Sequence, residues 1–244
     1  MIEICCGSYM DALNAYHGGA KQIELNSALH LGGLTPTTSC LKMVLENTDL
    51  KVYCMVRNRG AGFCYQAAEY QQLFQEAKDL LETGAHGIVF GFLNEDHTIN
   101  LEKTKAMIDL IKSYQREVIF HRAFDCVENP YHAIELLIEL GVDRILTSGL
   151  KNKAIEGVEL LKELQEKYGH QIEILQGSGV NASNVKALIE QTKIPNIHTS
   201  CKDWACDPTT IGKDVHYSYG PNGHESDFDI VSVELVKMVI QAYD

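Results

Sequence analysis

Nowhere does the chain of 244 residues approach the roughly 18 consecutive apolar residues that a membrane span requires. Its opening, Met-Ile-Glu-Ile-Cys-Cys, lacks both the basic start and the apolar core of a signal peptide. A cytosolic protein is therefore expected. The chain is also short of cations, with 21 Lys plus Arg against 33 Asp plus Glu and a formal charge of −12, which repels nucleic acid and anionic membrane at long range. A basic pocket of small extent stays compatible with that balance. Eight cysteines are too few for a disulfide scaffold in a chain of this length, and in the cytosol they are expected as thiols. No Pro/Gly/Ser-rich linker divides the sequence, so one domain over residues 1–244 is expected.

What is present is a large apolar fraction, 45% against 22% charged, enough for a sizeable core. A joint recurs along the chain: Gly19-Ala20-Lys21-Gln22-Ile23, Gly84-Ala85-His86-Gly87-Ile88 and Gly141-Val142-Asp143-Arg144-Ile145. In each, a glycine closes a helical segment and a strand follows within a few residues. Short apolar runs predict eight strands, near 2–5, 22–25, 52–56, 87–90, 118–121, 144–147, 173–176 and 196–199. Segments of helical periodicity lie between them, over 8–17, 39–46, 67–82, 101–114, 130–140, 154–167 and 182–191, and a C-terminal helix is read over 230–243. Eight strand–helix units in one chain of this length fit a TIM (β/α)8 barrel better than an open doubly wound sheet. An extended irregular loop over 200–228, holding Cys201, Trp204, Cys206, His216 and His224, reads as a lid or an oligomer contact.

Polar residues inside barrel strands need a reason, because a barrel interior is ordinarily filled by branched apolar side chains. Glu3 and Glu24 occupy matching positions in the first two strands, and each must face a cation, a metal or solvent. Arg57, at the end of the third strand, is the expected partner. The stretch Glu-Val-Ile-Phe-His-Arg-Ala-Phe-Asp (117–125) ends an apolar run in His121, Arg122 and Asp125, and His198 closes the eighth strand. These seven residues form the candidate catalytic set, with His121 as general base. Thr147, Ser148, Gly177, Ser178, Gly179 and Ser200 follow the last three strands, where the loops of many barrels hold an anion on backbone N–H groups. Cys5 and Cys6 are adjacent, so in a regular strand they face opposite sides.

Glu-Ile-Cys-Cys (3–6), Gly-Gly-Leu-Thr-Pro (32–36), Arg-Asn-Arg-Gly (57–60), Phe-His-Arg-Ala-Phe-Asp (120–125), Leu-Thr-Ser-Gly (146–149) and Gly-Ser-Gly-Val (177–180) occur in the order of the motifs of the CutC family, which this sequence resembles over nearly its whole length. The resemblance implies a cytosolic TIM barrel, usually a homo-oligomer, associated with copper homeostasis, with Cys5 or Cys6 as the family-matched metal ligand. Two departures stand out. The family's Arg-Pro-Arg-x-Gly-Asp-Phe reads here from Arg57 to Phe63 without the aspartate, and Asn26 stands where many members carry a second-strand cysteine. Copper binding is therefore expected to be weak or spread over scattered thiols. The alternative expectation is a TIM-barrel enzyme acting on a small anionic ligand, phosphorylated or sugar-like, at the C-terminal mouth.

Overall fold

All three joint glycines adopt the left-handed backbone that only glycine takes freely: φ is +98° at Gly19, +113° at Gly84 and +82° at Gly141 in the computed structural model, which describes residues 1–243. Behind each joint the chain turns out of a helix and into a parallel strand. The units run in order as β1 (Ile2–Cys6), α1 (Tyr9–His17), β2 (Gln22–Leu25), α2 (Thr38–Asn47), β3 (Lys51–Met55), α3 (Ala67–Thr83), β4 (Gly87–Phe90) and α4 (Leu101–Ser113). They continue as β5 (Glu117–Phe120), α5 (Pro130–Glu139), β6 (Arg144–Thr147), α6 (Val158–Tyr168), β7 (Glu173–Gln176), α7 (Val185–Thr192) and β8 (Asn196–Thr199). The eight strands close into a parallel barrel, β8 pairing with β1. This is the TIM-barrel architecture expected from the sequence.

Local chemistry fixes the helix starts. Asn129 caps α5 by accepting from the N–H groups of Tyr131 and His132, and Pro130 takes the first turn, where its missing N–H costs nothing. Where the expected boundaries move, a specific contact moves them. The start of α6 shifts from 154 to Val158 because Ala154–Glu156 forms a separate 3₁₀ turn and Gly157 lies against the Ser148 carbonyl, leaving no room for a Cβ. The start of α7 shifts from 182 to Val185 because Asn181 and Asn184 fold the preceding residues into a side-chain-bonded turn.

The expected loop over 200–228 is ordered at both ends. Its first part forms β9 (Lys202–Cys206), which pairs antiparallel with β10 (Asp227–Val231). Ile230 and Val231 therefore belong to a strand, and α8 spans Val233–Tyr243 rather than starting at 230. The sequence hides this because the apolar pair continues the helical stripe, while Asp11 accepts from the Val231 N–H and holds it extended.

Strand alternation divides the apolar core in two. One set, including Ile4, Cys6, Ile23, Leu25, Val52 and Phe120, packs with the helices outside the barrel. A separate small cluster of Tyr53, Met55, Val89 and Ile119, from β3, β4 and β5, fills one side of the interior. The opposite side, contributed by β1, β2, β6 and β8, is where the polar residues lie.

Candidate functional site

Glu3 on β1 sits beside His198 on β8, and Cys5 sits beside Glu24 on β2, each pair in parallel register and so on the same face of the sheet. Two polar layers result. In the lower one, Glu3 Oε2 accepts from Gln22 at 2.7 Å and pairs with Arg144 at 3.5 Å, while Arg144 also reaches Glu117 and Glu173 at 3.4 and 3.0 Å and lies over the Tyr53 ring at 5.0 Å. Burial pushes the Glu3 carboxyl up, but the His198 hydrogen bond and the charges of His198 and Arg144 outweigh it and hold the group below the usual carboxylate range. Glu3 is an ionised, fully engaged side chain.

The upper layer is different. His198 Nδ1 lies 2.9 Å from Glu3 Oε1, which fixes the imidazole with Nδ1–H donating and Nε2 directed toward Glu24 Oε2 at 3.9 Å. Cys5 Sγ is 3.6 Å from the same Glu24 oxygen, and the three ligand atoms of Cys5, Glu24 and His198 all lie within 4.8 Å of one another. Asn26 donates to Glu24 Oε2 at 2.9 Å and lies 3.5 Å from Cys5 Sγ. Among the described residues, Glu24 Oε1 and Asn26 Oδ1 are buried without a hydrogen-bond partner. Burial raises the Glu24 carboxyl, and neighbouring Glu3 adds to that against the opposing pull of His198; burial and the Glu24 charge likewise push the Cys5 thiol well up. For His198, burial lowers the pKa but the two glutamates win and raise it. One sulfur, one imidazole nitrogen and one carboxylate thus converge, with an oriented histidine and an unsatisfied oxygen.

The family-model comparison matches residues 1–203 to the CutC family. A CutC family protein from Treponema denticola is 39% identical over 99% of this chain and 98% of its own length, and one from Vibrio cholerae serotype O1 is 38% identical over 82% and 79%. The chain belongs to the CutC family. A solved CutC from Streptococcus agalactiae, described as a candidate copper homeostasis protein, superimposes with a TM-score of 0.76 at 27% identity, covering 81% of this chain and 97% of that one. An N-(5′-phosphoribosyl)anthranilate isomerase from Pyrococcus furiosus covers 100% of this chain and 98% of its own with a TM-score of 0.57 at 17% identity, a likeness of fold alone.

In this CutC family member the remaining candidate residues fall in several separate places. Cys6 faces outward, buried among the helices with its thiol against the Ile4 carbonyl, so it does not join Cys5. The other thiols form no ligand group among the described residues: Cys64, Cys126 and Cys206 are exposed, Cys40 is half-buried against the outer core, and Cys54 and Cys201 are buried in it. Arg57 does not meet the glutamates as the sequence suggested. Its guanidinium donates to the carbonyls of Leu31, Gly33 and Ala61, because the loop after β2 folds over it before it can reach the interior. Arg144, which the sequence reading passed over at the third glycine joint, takes the role of partner.

His121 is buried in the barrel against the Phe63 ring, in the space that glycine leaves at Gly91, where a Cβ would lie 2.6 Å from the imidazole. Its Nδ1 accepts from the Ala123 N–H at 3.1 Å, so Nε2 carries the proton and is buried without a partner among the described residues. Burial, reinforced by Arg57 and Arg122, lowers its pKa to about 3. His121 is a neutral N–H donor at physiological pH, not the general base expected. Asp125 is fully occupied: it accepts from Thr147 Oγ1, the Ser148 N–H and hydroxyl, the Leu150 N–H and Arg122 Nε. Thr147 and Ser148 are thereby consumed as structural donors. Gly177 packs against Leu146 and His198, while Ser178, Gly179 and Ser200 line an open cavity of about 380 Å³ whose wall also includes Cys5 and His198. Lys202, in the stretch read as irregular, lines the same cavity.

Proposed function

We propose that this CutC family protein binds one copper ion, as Cu(I), at the barrel mouth through Cys5 Sγ and His198 Nε2, with Glu24 as the third donor. The observation that carries the reading is the clamped histidine: Glu3 holds Nδ1–H and leaves Nε2 facing a thiol and a carboxylate oxygen within a 4.8 Å cluster. A carboxylate behind a histidine is the arrangement by which proteins orient a metal-binding imidazole and raise its basicity. The donor set fits a soft monovalent ion, for which a thiolate and an imidazole are suitable ligands. With Asn26 in place of a second thiol, one sulfur is available, so affinity is below that of a two-thiolate site.

Thiolate formation at Cys5 and release of any Nε2 proton from His198 must accompany binding, and both pKa values are raised, so affinity rises with pH and binding releases protons. Competition with a chromophoric Cu(I) chelator tests the reading. One ion per chain is expected, with affinity lost in Cys5→Ser and in His198→Gln. Stoichiometry unaffected by either change would contradict it, and preference for Zn(II) over Cu(I) at the same three residues would keep the site and reject copper.

A further inference from the structure

The cavity beside the Cys5–Glu24–His198 cluster has cations in its wall although the chain as a whole is acidic. The protein carries a formal charge of −12, yet Arg122 and Lys202 both line this cavity, and the Lys153 side chain packs against the Gly179 backbone at its edge. The one carboxylate among the described residues of its wall, Asp229, is engaged by the Tyr219 hydroxyl. Cationic side chains in a cavity wall attract a small anion while the acidic bulk surface repels large polyanions.

The backbone is arranged to match. Ser178 and Gly179 follow β7 with φ of +78° and +75°, two successive residues in the left-handed region, one of them not glycine. That conformation is disfavoured for serine and persists only where surroundings impose it. Here they do: Ser178 Oγ donates to the Asn152 carbonyl at 2.6 Å, and the Ser178 carbonyl accepts from the Ala154 N–H at 3.0 Å. The N–H groups of Ser178 and Gly179 donate to no protein acceptor among the described residues. Arg122 is equally preorganised. Asp125 holds Nε at 2.7 Å, Ser148 and the Lys151 carbonyl hold one Nη, and the other Nη has no protein acceptor among the described residues. Across the cavity, the Lys202 ammonium rests on the Trp204 ring at 4.0 Å, a contact that places the charge without neutralising it.

We infer that this cavity is a binding site for the phosphate of a small monoester, received by the Ser178 and Gly179 N–H groups and neutralised by Arg122 and Lys202, with the rest of the molecule extending toward His198 and Cys5. A phosphate offers several strong acceptor oxygens to a set of donors arriving from different directions, which a carboxylate cannot match. A cavity of about 380 Å³ holds a metabolite-sized ester, not only the anion. Loops after the seventh and eighth strands hold phosphate in many barrels, and here the donors are visible. The site stands beside the proposed metal ligands and does not depend on them.

Calorimetric titration of the full chain with inorganic phosphate, glycerol 3-phosphate and succinate tests it. Glycerol 3-phosphate is expected to bind more tightly than phosphate, and succinate to bind least. Lys202→Gln, at an exposed position, should weaken the ester by about tenfold, the effect of losing one charge-assisted hydrogen bond. Protein stripped of metal by a chelator should bind the ester as the untreated protein does, which separates this site from the metal reading. No heat with either phosphate probe, succinate binding more tightly than the ester, or Lys202→Gln binding like the parent would overturn the assignment.

Discussion

The lower and upper polar layers of the barrel use the same residue types to opposite ends. Below, Arg144 is enclosed by Glu3, Glu117 and Glu173, and Gln22 completes the coordination of Glu3. Above, among the described residues, Glu24 keeps one oxygen without a partner, Asn26 likewise, and His121 holds an unpaired buried N–H. A buried charge costs several kcal/mol unless it is paired and hydrogen-bonded. The lower layer pairs each of its charges within itself and is structural, although Arg144 Nε has no well-aligned hydrogen-bond acceptor. The upper layer does not, and its Cys5 and His198 line an open cavity. Glu3 links the two, one oxygen turned down to Arg144 and the other up to His198.

The largest test of this contrast is Arg144→Met. It leaves Glu3 buried without its cation, and denaturant unfolding should show a loss of about 3–5 kcal/mol. Glu117 and Glu173 are more than one-third exposed and add little to that figure. A loss below about 1 kcal/mol would remove the structural assignment of the lower layer.

Next in size is the effect of acid at His121. Its pKa is about 3 in the fold and about 6.5 when unfolded, so between those values the unfolded chain binds more protons and stability falls as pH falls. From about pH 7 to about pH 5, this single group should remove about 2 kcal/mol, and His121→Gln should lack that part of the decline. The difference between parent and variant is the quantity to measure, because His198 contributes with the opposite sign. Its raised pKa gives stability that is fully present below the unfolded value and lost as pH rises through the folded one. Parallel stability curves for the two proteins would contradict the buried, neutral state of His121.

The smallest expected change in stability is at Glu24. Its carboxyl is held above the usual range, so the fold resists ionising it, and Glu24→Gln should leave stability unchanged or raise it by about 1 kcal/mol. Marked destabilisation would move Glu24 into the structural layer.

The fold was legible from the sequence because it rests on local signals: glycine joints, strand alternation and helix caps are each written within a few residues. Alternation also correctly separated Cys5 from Cys6. Glu3, Glu24 and His198 stood out as polar residues in apolar strands. Their partners did not. Arg144 is 141 residues from Glu3 and meets it only across the closed barrel, whereas Arg57, nearer in sequence, is captured by backbone carbonyls of its own neighbourhood. Lys202 was hidden because its strand forms by pairing with β10, some twenty residues onward across a turn-rich stretch. His121 was recognised by type, but its tautomer depends on a backbone N–H that no sequence pattern displays.

The claim at the centre is that the upper layer is a single mixed-donor metal site. X-ray absorption at the copper edge of the Cu(I)-loaded protein addresses it directly, because sulfur and nitrogen or oxygen neighbours scatter differently. The account predicts one sulfur together with nitrogen or oxygen donors, the sulfur contribution disappearing in Cys5→Ser. Coordination by two or more sulfurs without a histidine contribution would contradict it and place copper on scattered thiols instead.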